Sequence, residues 1–349
     1  MSYGKKVRAP IRPITLAFAV IIALIFSFST VIRAENVAGG EREREMVYSE
    51  AVERMRQGFE KHEESIDLSD LSISPDNLGK LFSDATKDTP YLFFVSNNLS
   101  YSYRTGGCVV SVKPKYTMEK GEAEEAVEYC KAEVKKITAM LKNCSDDLER
   151  VVRAHDLIRD SFSYDTTLES NNVYTFLKTR KGTCQGYTWT YMAVLRELGI
   201  ECRYVASDTI AHIWLTVKID GEWYHSDATW DDPPSAEGSG QKSRAHLLFS
   251  DEKADADGYT DRYSASGEKC SDKRYDGEDF SPLFPSCSLR GDVDHDGDVG
   301  VRDILLLRIY IDKGIEGKGL CLVCADADPN FAIDEKDTET IRKNILLPG

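Results

Sequence analysis

The pair Asp220-Gly221 constrains this chain more than any other feature, because it lies between two strand-like runs, Ile213 to Ile219 and Glu222 to His225. Both residues tolerate positive φ, so a two-residue hairpin turn closes there with little strain. Such a turn sets the register: Ile219 faces Glu222, Trp214 faces Asp227 and His212 faces Thr229. His212 and Asp227 then share one face as diagonal neighbours on adjacent strands. At that spacing a carboxylate can hold an imidazole in one tautomer and one orientation.

Upstream, Lys181-Gly182-Thr183-Cys184-Gln185-Gly186-Tyr187 runs directly into a helical pattern. Tyr187, Tyr191, Val194, Leu195 and Leu198 recur at helical spacing, and Gly199 ends the run. Cys184 is therefore expected at the N-terminus of a buried helix, where the dipole and unbonded N–H groups favour a thiolate. The flanking glycines would leave room for a substrate backbone, and N–H groups around Cys184 would serve a developing oxyanion. Taken alone, a cysteine before a helix is an ordinary core residue. Joined by His212 and Asp227 it becomes an activated nucleophile, with His212 as base and Asp227 as the acid that orients it.

These strings carry a resemblance. Gly-Thr-Cys184-Gln-Gly-Tyr, Leu-Arg-Glu-Leu-Gly-Ile-Glu-Cys, Ala-His212-Ile-Trp and Asp-Gly-Glu-Trp-Tyr-His-Ser-Asp227-Ala-Thr-Trp together resemble the transglutaminase-like superfamily. The similarity is densest from Val151 to Phe249, includes His155-Asp156 and Tyr164-Asp165, and extends back to Thr89-Pro90-Tyr91-Leu92-Phe93. It implies a papain-like α+β core, a helix bearing the cysteine packed on an antiparallel sheet, with Cys184, His212 and Asp227 catalytic. The superfamily holds cross-linkers, peptidases, peptide amidases and members with no demonstrated activity. No residue here chooses between water and an amine as the resolving group. Gln185 and Tyr174 are the candidates for a transition-state partner.

The rest of the chain fits a mixed α+β body. Glu41 to Lys61 reads as a helix with Met46, Val47, Val52, Met55 and Phe59 on one broad side. Tyr91 to Val95, Ser100 to Arg104 and Cys108 to Val112 read as strands. Glu119 to Leu141 and Asp146 to Phe162 read as amphipathic helices, the second capped by Ser145 or Asp146. Residues 231–243, rich in Pro, Gly and Ser, read as a surface loop, and the Pro-Ser-Cys-Ser stretch before Arg290 as a linker.

Beyond that linker the acids fall into a ladder. Asp292, Asp294, Asp296, Asp298 and Asp303 occupy positions 1, 3, 5, 7 and 12 of a twelve-residue loop, with Gly297 at 6, and an apolar helix follows. Alternate carboxylates turned inward suit one hard cation, with position 7 offering its backbone carbonyl. The pattern returns 34 residues later as Asp326, Asp328, Asn330 and Asp337, with Pro329 and Phe331 as departures. This duplicated loop-helix, about Arg290 to Leu346, resembles a type I dockerin, a small all-α module that binds cohesins on scaffolding proteins when loaded with calcium. The resemblance implies two Ca2+ sites. It also implies partner contacts at Val301-Arg302 and Glu335-Lys336, and the difference between those pairs argues against interchangeable two-way binding. Cys321 and Cys324 form a lone CxxC between the repeats, a weak zinc signal without a second pair, so a local disulfide or free thiols are expected instead.

Charge and the N-terminus bear on location. The chain carries −15, and setting aside Lys5, Lys6, Arg8, Arg12 and Arg33, the only charges in the first 34 residues, leaves −20. A body so acidic has no general attraction for nucleic acid or anionic membranes. The basic start, the apolar run Ile14 to Ile32 and Ala34 before Glu35 form an export signal, with an uncleaved membrane anchor as the alternative. Nine cysteines, an odd number, suit one thiol kept for chemistry. The expected organisation is a signal over 1–34, an α/β region over 35–145, the catalytic core over 146–285 and the dockerin-like module over 286–349. The expected activity is that of an exported thiol enzyme acting on protein or peptide amides, with peptidase or amidase chemistry preferred. The alternatives are a cross-linking transglutaminase and a non-catalytic binding module.

Overall fold

Helical and strand periods alternate along the chain, and the computed structural model turns them into two units, residues 1–124 and 125–349. It describes residues 7–10, 34–105, 107–233, 242–264, 267–285, 289–314 and 320–346. The apolar run Ile14 to Ile32 lies outside them. Among the described residues no helix is long and apolar enough to cross a membrane.

The first unit contains β1 (Val7–Pro10), α1 (Ala34–Glu60), β2 (Ile66–Asp67), α2 (Leu78–Thr86), β3 (Val95–Tyr103) and β4 (Val109–Tyr116). Its antiparallel sheet has the order β1-β3-β4-β2. α1 buries Met55 and Phe59 completely, whereas Met46, expected on the same side, is exposed. The stretch before Val95 is a turn rather than the expected strand: the N–H of Leu92 bonds Thr89 O and that of Val95 bonds Leu92 O. Pro90 has no N–H to give a ladder, and pairing begins only at Val95.

α3 (Lys120–Ala139) runs across the division into the second unit. There follow α4 (Asp147–Ser161), β5 (Ser163–Tyr164), α5 (Val173–Thr179), β6 (Lys181–Gly182) and α6 (Cys184–Glu197). The sheet strands are β7 (Cys202–Ser207), β8 (His212–Ile219), β9 (Glu222–Ser226) and β10 (Leu247–Phe249), and after α7 (Asp251–Ala256) comes β11 (Tyr263–Ser264). All five pair antiparallel in the order β10-β9-β8-β7-β11. Asp146 caps α4, its carboxylate accepting the Glu149 N–H at 2.8 Å. α6 packs on β7 and β8 and against α4 and α5. β8 buries every residue except the half-buried Lys218, as a central strand covered on both faces must.

The hairpin turn has two residues, Asp220 at φ 52° and Gly221 at φ 90°. Its ladder runs from Ile219↔Glu222 to Leu215↔Ser226 and stops one residue short of Asp227. Residues 234–241 of the expected surface loop lie outside the described set, but the ends of that loop meet, with Ser243 N–H on Asp231 O at 3.1 Å.

The tandem loop-helix module also belongs to the second unit. It consists of α8 (Val301–Lys313), the short α9 (Leu322–Ala325) and α10 (Glu335–Leu346), around Val293, Leu307, Ala325, Ala327 and Ile341. Its Phe331 is fully buried, with the Arg180 guanidinium 4.0 Å above the ring and Phe162 at 6.0 Å.

Candidate functional site

The start of α6 brings Cys184 to the site. Thr183 precedes it as N-cap without a side-chain bond, so the first N–H groups of the helix have no carbonyl partner within it. β5 and β6 pair in parallel just before it, with Tyr164 opposite Gly182. The two glycines have a different use from the expected one. A Cβ at Gly182 or Gly186 would lie 2.2 Å or 2.7 Å from the Phe176 ring, so they make room for Phe176, not for substrate.

His212 opens β8, and its Nε2 lies 2.6 Å from Asp227 Oδ2. With Nε2 committed to Asp227, the ring nitrogen left to serve the Cys184 thiol is Nδ1, and Cys184 lies close enough to raise the pKa of the ring. Burial disfavours the charged imidazole. The Asp227 charge and hydrogen bond, with the contact to Cys184 added, outweigh it and hold His212 up at about 10. Asp227 is fully buried and fully bonded. Oδ2 also accepts the Tyr259 hydroxyl at 2.9 Å, and Oδ1 accepts the N–H groups of Thr229 at 2.9 Å and Trp230 at 3.3 Å. Burial works against its charge, but His212 and these donors pull its pKa below the usual carboxylate range.

Two indoles clamp the imidazole. Trp214 stacks at 5.6 Å and Trp230 at 5.1 Å, both within 20° of parallel. Trp214 is itself held by its Nε1–H donating to His225 Nδ1 at 3.0 Å, and His225 Nε2 sits 3.1 Å from Asp251. Burial pushes the His225 pKa down, consistent with a neutral ring that donates from Nε2. The turn carrying Asp227 is tied back by a buried ionic network. Asp156 receives Arg244 and Arg159, while Asp231 receives His246 Nδ1 at 3.0 Å and lies 3.1 Å from His155 Nε2.

Sequence reasoning had no role for Tyr259, Trp230, His225 or Arg244. His225 and Trp230 both stand in the Asp-Gly-Glu-Trp-Tyr-His-Ser-Asp227-Ala-Thr-Trp string, which was the only signal for any of them. Of the two guessed transition-state partners, Gln185 is next to Cys184 on α6 and half-buried, whereas Tyr174 is engaged with Lys178 Nζ at 3.1 Å and with Tyr129. The phenol that senses Cys184 is that of Tyr164, raised by burial first and by the thiol second.

Residues 135–228 match the family model of the transglutaminase-like superfamily, a span that holds Cys184, His212 and Asp227. The chain carries a transglutaminase-like domain. Among solved structures it is similar to one titled "Crystal structure of a TGase", at 13% identity and a TM-score of 0.27. That match covers 45% of this chain and 49% of the other, so the chain spans about half the length of that relative. No curated protein matches the chain.

Outside the transglutaminase-like domain, the acid ladder closes into two clusters. Oxygens of Asp292, Asp294 and Asp303 lie within 4.8 Å of one another, as do those of Asp326, Asp328 and Asp337. Three of the four hydrogen bonds to the first and last aspartates recur at a spacing of 34 residues, and the fourth shifts its donor one residue further, from Val293 to Asp328. Asp292 receives the N–H groups of Asp296 and Gly297, as Asp326 does those of Asn330 and Phe331. Asp303 receives Val293 and Gly300, as Asp337 does Asp328 and Asp334. Phe331 keeps the left-handed backbone of the expected glycine, at φ 63°.

Neither buried oxygen of Asp294 accepts a hydrogen bond, nor does Oδ1 of Asp328, although Arg302 Nε approaches Asp294 Oδ2 to 3.0 Å. Oxygen-only donors with orphaned buried oxygens fit a hard divalent cation. The side chains of Asp296 and Asp298 are exposed and outside the cluster, and Asn330 Oδ1 is bonded to Ala332 N–H at 2.7 Å. Val301, Arg302, Glu335 and Lys336 are all exposed at the starts of α8 and α10.

Proposed function

We propose that the protein is a thiol acyl-transfer enzyme that hydrolyses amide bonds in proteins or peptides. The observation that carries this is the buried His212–Asp227 pair, bonded at 2.6 Å, with Cys184 at the start of α6 acting on the same ring. Cys184 Sγ attacks the amide carbonyl carbon, and the N–H groups at the start of α6 receive the oxyanion. His212 then gives its proton to the leaving amine, which departs as the C–N bond breaks and leaves a Cys184 thioester. Water attacks that thioester, His212 takes a proton from it, and the carboxylic acid leaves as the thiol is restored. Asp227, clamped by four donors, keeps Nδ1 toward sulfur throughout. A primary amine replacing water in the second step would make the same site a cross-linker.

We also propose that the tandem module is a calcium-dependent dockerin. Asp292, Asp294 and Asp303 would hold one ion and Asp326, Asp328 and Asp337 the second, with Asp296, Asp298 and Asn330 completing the shells by side chain, backbone or water. Calcium would neutralise packed carboxylates and present Val301, Arg302, Glu335 and Lys336 to a cohesin on an extracellular scaffold. The basic, apolar N-terminus supports export.

The test incubates the full chain in calcium with an unfolded protein and a small primary amine, followed by mass spectrometry. Cleaved or deamidated products that vanish in Cys184→Ser support the hydrolase. Amine adducts would convert the reading to a transferase, and products unchanged in Cys184→Ser would remove the thiol from the chemistry.

A further inference from the structure

The second unit holds one constellation that neither the thiol site nor the acidic loops use. Cys321 caps α9, and its Sγ accepts the Cys324 N–H at 3.3 Å. The CxxC is stitched to the first acidic loop on both sides. Cys321 N–H donates to Val293 O at 2.9 Å, and Gly291 N–H donates to Cys324 O at 2.8 Å. From that loop His295 reaches back, with a left-handed backbone at φ 57° and Nε2 3.0 Å from Cys324 Sγ. Position 4 of the second loop is Pro329, so this histidine is not part of the repeated cation ladder.

We propose that His295, Cys321 and Cys324 form a zinc site. Their ligand atoms lie within 4.8 Å of one another, and tetrahedral bonds of about 2.3 Å to sulfur and 2.0 Å to nitrogen ask for ligand atoms about 3.5 Å apart, which small χ rotations supply. One nitrogen and two sulfurs select a borderline-soft ion, while the all-oxygen loops beside them select a hard one, so the module sorts two metals by ligand chemistry. Binding converts two thiols to thiolates and releases their protons to solvent, with no change of oxidation state. Water takes the fourth position. The ion ties the segment before the second loop to the first loop. The same sulfurs have a competing fate as a disulfide.

The test uses the full chain, purified under reducing conditions and held in excess calcium so that the oxygen sites do not compete for zinc. After loading with Zn2+ and gel filtration, metal analysis should find one zinc per chain. His295→Asn, which tolerates the left-handed backbone, should lose it, as should Cys324→Ser. Because Cys324 is buried, Co2+ loading of the half-buried Cys321→Ser gives a second readout: the thiolate-to-cobalt absorption should fall to half or less, since one of two sulfurs is gone and the site is weakened. Zinc content unchanged in His295→Asn, a cobalt spectrum unchanged in Cys321→Ser, or a Cys321–Cys324 disulfide in the exported protein would each overturn the proposal. The differences between the parent and the His295, Cys321 and Cys324 variants are read at ligands outside the acidic clusters, so failure of this proposal is distinguishable from failure of the calcium reading.

Discussion

Asp227 is buried and Asp294 half-buried with both carboxylate oxygens shielded from solvent, each at the heart of a constellation, and they differ in how those oxygens are engaged. Asp227 has both oxygens filled by protein donors, two from backbone N–H groups and two from side chains. Asp294 has two oxygens that accept no hydrogen bond. A buried carboxylate with every lone pair engaged is fixed in place and can act on a neighbour, here the His212 ring. One without donors is costly to bury, and the natural compensation for an oxygen cluster is a cation. The thiol site is therefore complete on protein groups alone, whereas the acidic loops are not.

The largest expected effect lies on the complete side. Cys184→Ser should lower kcat/KM by about 10^3-fold or more with thermal melting close to that of the parent, and His212→Ala should lower it as much but also melt lower, because it strands the buried Asp227 charge. Asp227→Asn should cost about 10^2- to 10^4-fold, since the ring loses its orientation as well as a charge. Calcium should alter none of these ratios. A calcium-dependent ratio would join the two regions that the structure keeps chemically separate.

Next in size is the network behind Asp227. Arg244→Ala leaves Asp156 buried beside the remaining Arg159, and breaking such a pair should cost about 3–5 kcal/mol by urea unfolding. A cost below about 1 kcal/mol would mean that the turn carrying Asp227 is held by something else.

On the incomplete side the sign of a substitution should depend on calcium. Asp294→Asn should raise stability in chelator, by relieving like-charge crowding, and lower it in calcium. With calcium at a hundred times its Kd, each loop should add about 2.7 kcal/mol, measured as the shift between chelator and calcium melts. The same sign in both conditions would break the comparison with Asp227.

The last effect is in pH. His212 is held up at about 10, above its unfolded value, so its contribution to stability is complete below about 6.5 and disappears as pH rises through 10. In Asp227→Asn the burial that opposes the charged ring is unopposed, and the decline should move to lower pH. Unfolding free energies across that window, parent against variant, check the direction.

What the sequence disclosed depended on how local the determinant was. The Asp220-Gly221 turn and the helix beginning at Cys184 are set by residues within a few positions, and both appear in the structure. The acid ladder was legible because it repeats, and most of its hydrogen bonds repeat with it. The partners of Asp227 were not. Tyr259 is 32 residues from it and Arg244 is 88 from Asp156, distances at which no periodicity operates. Gly182 and Gly186 show the same limit in reverse: their smallness was plain, but its reason, the Phe176 ring, arrives from another helix. Phe331 departs from glycine because its ring packs under Arg180, a contact that nothing in the loop pattern announces.

The central claim, that Cys184 is an activated thiol, is tested most directly by site-resolved alkylation. The folded chain is treated briefly with iodoacetamide at neutral pH, digested, and the modified fraction at each cysteine is read against the unfolded chain. The account predicts that Cys184 reacts faster folded than unfolded and that Asp227→Asn removes the advantage, while buried Cys130, Cys202 and Cys270 are protected. A folded Cys184 that reacts no faster than it does in the unfolded chain would contradict it and leave a binding module in place of an enzyme.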